Sequence, residues 1–121
     1  MFKVIPNGAN RLDIEISDKL NAEEMKAAID DLISKSDNIE NGKMLYKFFD
    51  FHLPSLGAIG VEFSRLPAMF RLMRKFDRVA VLTDKAWLQK ASELEGALYP
   101  GLDIKAFNHD QKTDAEAWLS S

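Results

Sequence analysis

Asp50 and His52 stand two residues apart where a predicted strand runs out into a loop, and Asp84 follows a second predicted strand. A carboxylate beside an imidazole can exchange a proton with a bound molecule near neutral pH, so these three residues are the first candidates for an acid–base site. Each also has a plainer reading, Asp50 as a loop brace and His52 as a surface histidine. The chain has no cysteine, which excludes disulfides, thiolate metal sites and cysteine nucleophiles. Its two histidines, 57 positions apart, argue against a histidine-rich metal site. No phosphate-cradling glycine loop, hydrolase elbow or metal motif is present. The sequence therefore implies no metal, no cofactor and no catalytic residue set.

The elements that must position these residues follow from periodicity and punctuation. Phe2–Ile5 reads as a short strand closed by Pro6-Asn7-Gly8, and Arg11–Ser17 alternates apolar with charged residues, so the two predict an antiparallel hairpin. Asn21 and Glu24 have capping-box spacing at the start of a helix whose Met25, Ile29, Leu32 and Ile33 form a buried stripe. Lys43–Asp50 is a third strand, and Lys47 within it suggests a place near the sheet edge. Arg78–Thr83 contains Val79-Ala80-Val81-Leu82, a strand buried on both faces. Thr83 or Asp84 caps a helix with Trp87, Leu88, Ala91, Leu94 and Leu98 inward, stopped by Tyr99-Pro100-Gly101. Leu102–Phe107 is a fifth strand, and Thr113 with Glu116 predicts a second capping box on a last helix. The order is ββαβαβαβα, an α/β fold with a mixed, mostly parallel five-stranded sheet and four helices.

Leu53–Phe76 reads as one long helix with more apolar surface than one buried face needs. Leu56, Ile59, Phe63, Leu66, Phe70 and Met73 make a core stripe at helical spacing. Val61, Met69, Leu72 and Phe76 fall roughly opposite, beside Arg71, Arg74, Lys75 and Arg78. A second apolar strip on a surface helix calls for a cover: a neighbouring helix, a second copy of the chain, an apolar ligand or a membrane surface. Pro67 removes a hydrogen bond and clashes with the carbonyl of Phe63, so the helix is expected to kink or split near Leu66.

At 121 residues, 46% of them hydrophobic, the chain is long enough for one domain with one core. A net charge of −3 argues against general nucleic-acid binding. The N-terminus lacks the apolar segment of a signal peptide, and no apolar run approaches the ~18 residues that span a bilayer. A soluble, cytoplasmic protein is the expectation.

The strand ending in Asp50-Phe51, the segment Phe76-Asp77-Arg78-Val79-Ala80-Val81-Leu82-Thr83-Asp84-Lys85-Ala86-Trp87 and the closing Asp114-Ala115-Glu116-Ala117-Trp118-Leu119 together resemble the bacterial SpoIIAA-like proteins. These are relatives of the STAS, or anti-sigma-factor-antagonist, fold. The resemblance spans essentially the whole chain. It implies a STAS-like domain over residues 1–121 with no enzymatic activity and a role in binding an apolar or lipid-like ligand at membranes. Anti-sigma-factor antagonists carry a phosphorylatable serine in an Asp-Ser-Ser-Gly-Leu motif after the third strand. Here the neighbourhood reads Pro54-Ser55-Leu56-Gly57, so Ser55 and Gly57 match while proline and leucine depart from the pattern.

Ligands of open parallel sheets sit beyond the carboxyl ends of the strands. The expected ligand site accordingly joins Asp50, His52, Ser55, Thr83, Asp84 and Trp87 to Phe63, Phe70 and Met73 under the long helix. Met69, Arg71, Leu72, Arg74, Lys75, Phe76 and Arg78 form the expected membrane or partner face, which would bind anionic lipid at the inner side of the membrane or a second copy in a homodimer. The leading expectation is a non-enzymatic binding module. The alternative is an anti-sigma-factor-antagonist-like interaction regulator with Ser55 as phosphoswitch, and an enzyme using Asp50 and His52 ranks third.

Overall fold

The structure is a computed structural model, and it describes residues 1–51, 56–97 and 101–121. The side chains of Asp50, Phe51, Ala58, Ile59, Glu62, Phe63, Leu66 and Glu95 lie outside that description. The first strands, β1 (Phe2–Pro6) and β2 (Arg11–Asp18), pair antiparallel. Between them Gly8 sits at φ 81° and Asn10 at φ 60°, the left-handed conformations a tight reversal needs. Helix α1 (Ala22–Lys35) starts where the Asn21 side chain accepts a hydrogen bond from the Glu24 amide at 2.8 Å. It buries Met25, Ile29 and Leu32 of the predicted stripe together with Ala28, while Ile33 is partly buried.

The chain continues through β3 (Gly42–Phe51), α2 (Leu56–Ser64), α3 (Leu66–Met73), β4 (Phe76–Leu82), α4 (Ala86–Gly96), β5 (Asp103–Phe107) and α5 (Lys112–Ser120). A 3-10 turn at His109–Gln111 precedes α5. With α2 and α3 as two halves of one broken segment, the order is the expected ββαβαβαβα. The sheet runs β1-β2-β3-β4-β5, with the first pair antiparallel and the rest parallel. Because β2, β3, β4 and β5 advance in one direction, right-handed crossovers place α1 to α4 on the same face. Leu12, Ile14, Ile16, Met44, Val79 and Val81 meet Met25, Ile29, Leu32, Met73 and Leu88 in the main core there. On the opposite face only α5 docks, with Ala115 and Leu119 packed on Leu45, Ala80, Leu82 and Phe107.

This topology corrects the placement of β3, which is central rather than near an edge. Lys47 is tolerated there because it faces the side that α5 leaves largely open, directly across from Glu15 in the register. Gly42, at the base of the same strand, allows a close approach: a Cβ there would lie 2.4 Å from Ile39 and 2.9 Å from Phe76.

The capping box predicted from Thr113 and Glu116 does not form. The reciprocal pair is Asn108 with Gln111, one turn earlier, where the chain leaves β5. Glu116 instead reaches back to the start of β2 and forms a two-pronged contact with Arg11, whose Nε also donates to Asp13 at 2.9 Å. Arg78 lies over the Trp118 ring, 5.2 Å from its centroid, and donates to the Trp118 carbonyl oxygen and to Ser121 at the end of α5. These contacts fasten α5 across the sheet.

The hydrogen bonds from Arg11 hold the Glu116 carboxyl below its ordinary pKa, despite partial burial acting the other way. An acid whose pKa is lowered by folding contributes stability in full above its unfolded pKa and loses it as pH falls through the folded value. Glu116→Gln should therefore cost roughly 0.2–1 kcal/mol at pH 7, the range for a partly exposed pair. The difference from the native protein should shrink as pH falls below about 4, which urea unfolding at neutral and acidic pH measures.

Candidate functional site

The expected long helix is two helices, broken at Arg65, with Pro67 in the first turn of α3. Proline is favoured in a first turn, where its missing N–H is not needed, so the cost of an interior proline is relieved by ending one helix and starting another. The break also changes which residues face the core. Leu72 and Phe76, expected on an outward strip, are 3% and 1% exposed, and Phe76 is already the first residue of β4. Val61 and Met69 pack against the same core. Conversely Leu56, expected inward, is 88% exposed, and Phe70 also lies at the surface. Ile59, Phe63 and Leu66 have side chains outside the described residues.

The predicted membrane or partner face therefore loses its apolar half. Arg71 on α3 and Arg74 at its end are exposed, but Leu72 and Phe76, meant to insert beside them, are in the core, and Met69 is partly buried against it. Lys75 donates to the Asp37 carbonyl oxygen at 3.1 Å, and Arg78 is engaged with α5. The homodimer seam expected on this strip loses the same residues.

Beneath α3 lies a cavity of about 230 Å³. Its floor is the sheet, with Ile16, Tyr46, Phe48, Val79, Val81 and Ile104. Its walls are Met25, Ile29 and Leu32 of α1, Met69 and Met73 of α3, and Leu88, Ala91 and Ser92 of α4, with Phe2 and Leu20 closing one end. Ala91 lines the cavity yet is exposed, so the space opens along α4. The inner face predicted for α4 is corrected accordingly. Leu88 is buried, but Trp87 and Leu94 are 48% and 72% exposed, and Leu98 lies outside the described residues. Small Ala91 and Ser92 stand where larger side chains would fill the gap between α4 and α3.

Of the described residues among those expected to bind ligand, only Met73 lines this cavity, joined by Met69 from the expected outer face. The lining from β3 and α4 was missed. Its signal is the alternation Met44-Tyr46-Phe48, which commits large side chains to one sheet face, opposite a helix carrying small residues. Tyr46 and Phe48 stack with ring centroids 6.1 Å apart at 17°.

Thr83 and Asp84 belong instead to a rim at the carboxyl ends of the strands. Thr83 is buried, and its hydroxyl accepts from the Lys85 amide at 3.2 Å. Asp84 accepts from the His109 amide at 2.9 Å. His109 Nε2 lies 2.8 Å from the Phe48 carbonyl oxygen, with its ring stacked on Phe49. Gln89 donates to the Thr83 carbonyl at 2.7 Å and to Asn108 Oδ1 at 2.8 Å. These contacts tie the carboxyl ends of β3, β4 and β5 together, and they bring His109, not foreseen, beside Asp84. The Asp50 side chain, His52 and Ser55 lie outside the described residues. Among the described residues no cluster of three metal-ligating side chains occurs, and no helix is long and apolar enough to cross a membrane.

A family model described as SpoIIAA-like matches residues 11–120. A solved structure of an uncharacterised protein with a SpoIIAA-like fold from Shewanella loihica PV-4 covers 98% of this chain and 92% of its own, at 20% identity and a TM-score of 0.76. The anti-sigma factor antagonist SpoIIAA in its unphosphorylated form covers 97% of this chain and 98% of its own, at 12% identity and a TM-score of 0.53. The Bacillus cell fate determinant SpoIIAA in its phosphorylated form covers 94% and 97%, at 13% identity and a TM-score of 0.52. These likenesses carry the fold. Comparison with curated proteins returns no match.

Helix α2 packs chiefly on α1, and the α2–α3 joint is tied to α1 by Arg65, whose Nη1 donates to Asp30 at 2.7 Å. Such a roof has less burial behind it than a central strand. Amides of residues 57–70 should exchange with deuterium faster than those of 79–82, as hydrogen-exchange mass spectrometry would show; equal protection would mean the roof is as firmly held as the sheet.

Proposed function

The chain belongs to the SpoIIAA-like family, and on that premise we propose that it is a non-enzymatic binding module that takes a small apolar ligand into the cavity beneath α3 and α4. The observation that supports this reading is the cavity itself. Protein interiors are packed to crystal-like density, and a void of about 230 Å³ with an opening along α4 is far larger than ordinary packing leaves. Its size depends on small residues at positions 91 and 92 and on the break between α2 and α3.

Catalysis finds less support. Among the described residues of the rim, Asp84 and His109 are each occupied by a backbone group, the His109 amide and the Phe48 carbonyl. Membrane association is no part of this reading, because the residues that would insert are in the core. The competing reading is an interaction regulator with Ser55 as its switch. It draws on the likeness in fold to an anti-sigma factor antagonist, while Pro54 and Leu56 depart from the phosphorylation motif.

Native mass spectrometry of the gently purified protein should detect a retained non-covalent adduct. Ala91→Phe should fill the mouth and lower its occupancy at least tenfold with little loss of stability, because position 91 is exposed. Phosphorylated Ser55 recovered from cells, with a protein partner that leaves on phosphorylation, would favour the regulator instead.

A further inference from the structure

We infer that the ligand is an uncharged, compact aromatic molecule of about nine or ten non-hydrogen atoms with no more than one hydrogen-bond donor, which rests on the cavity being a binding site. Size comes first. An engineered apolar cavity of about 150 Å³ accepts benzene, with six carbons. By proportion the 230 Å³ here suits a bicyclic ring system and is too small for a sterol or a full-length acyl chain.

Charge is the second restriction. Among the described residues, no lining side chain carries a charge. The cations of the elements above it are directed elsewhere: Arg65 to Asp30, Lys75 to a backbone carbonyl, Arg71 and Arg74 to the exposed side. A carboxylate entering this space would shed its hydration with no cation to pair with. The polar groups of the lining are the hydroxyls of Tyr46 and Ser92, and Ser92 already donates to the Leu88 carbonyl at 2.8 Å. Its oxygen is left to accept, which matches a ligand with a single N–H or O–H.

Shape is the third. The stacked rings of Tyr46 and Phe48 make part of the floor, while Met25, Met69 and Met73 approach from α1 and α3. Thioether side chains adapt to irregular ligands and make favourable contacts with aromatic rings, so the site selects ring systems more strongly than it selects one substitution pattern.

The test follows methionine methyl resonances by NMR in the intact protein during titration with three probes. Indole is neutral and of the inferred size, benzoate has the same number of heavy atoms with a negative charge, and progesterone is neutral and much larger. Indole should shift the Met25, Met69 and Met73 methyl signals and leave Met1 unmoved, and Ala91→Phe should suppress the shifts. Benzoate should bind at least tenfold more weakly, and progesterone should produce no shift of these signals. Benzoate binding as well as indole would overturn the charge inference, and progesterone binding would overturn the size inference, each leaving the cavity as a binding site. If none of the three moved the cavity methionines, the binding reading and this inference would fall together.

Discussion

Three right-handed crossovers advancing the same way across one sheet leave no choice about where the helices go. Each packs on the same face, so α1, the broken pair α2–α3 and α4 must share the area above β1 to β5. The opposite face is left to a single helix, and α5 covers it only over β3, β4 and β5. The rest of the molecule answers to that imbalance. β2 alternates because it is apolar toward the crowded face and charged toward the open one, where Asp13 and Glu15 lie across from Leu45 and Lys47. β4 cannot alternate, since α5 buries its second face.

On the crowded side, the segment between β3 and β4 would be too long and too straight as one helix to follow the sheet. Pro67 divides it. The first half leans on α1, and the second carries Met69 and Met73 over the sheet toward α4. Small residues on α4 then leave the interval between the two unfilled. The cavity thus arises from a helix break on one side and missing side-chain volume on the other, with the sheet as a continuous apolar floor. Nothing about it requires a strained backbone or a buried charge, and its described lining is uncharged throughout.

Much of the architecture can be read in the residues. The Asn7-Gly8 reversal, the Asn21 cap, the α1 stripe and the uncharged Val79–Leu82 run each state a local rule that the fold obeys. Pro67 announces the break as well. Less legible is what the break does to phase. A helical projection carried from Leu53 to Phe76 treats the segment as one rotor, but it restarts at Leu66 and becomes strand at Phe76, so Leu72 and Phe76 turn inward while Leu56 and Phe70 turn outward. Lys47 misled for another reason: a lysine in a central strand is costly only if both faces are covered, and coverage is a tertiary fact. The cavity lining was hidden because empty volume has no residue of its own. Only the pairing of large β3 side chains with small α4 ones hints at it.

The Arg11–Glu116 contact joins positions 105 residues apart, the longest span of any hydrogen-bonded side-chain pair among the described residues. Closing so long a loop in an unfolded chain carries a large entropy cost that one partly exposed ion pair cannot offset. Once β2, β3, β4 and β5 are aligned, however, the sheet itself spans that distance, and the two side chains meet with little further ordering. The hairpin of β1 and β2 can form locally, whereas each parallel pairing must wait for its crossover. In kinetic terms the contact is therefore a latecomer: it belongs to the downhill side of the folding barrier, where it slows the loss of the native state more than it speeds its formation.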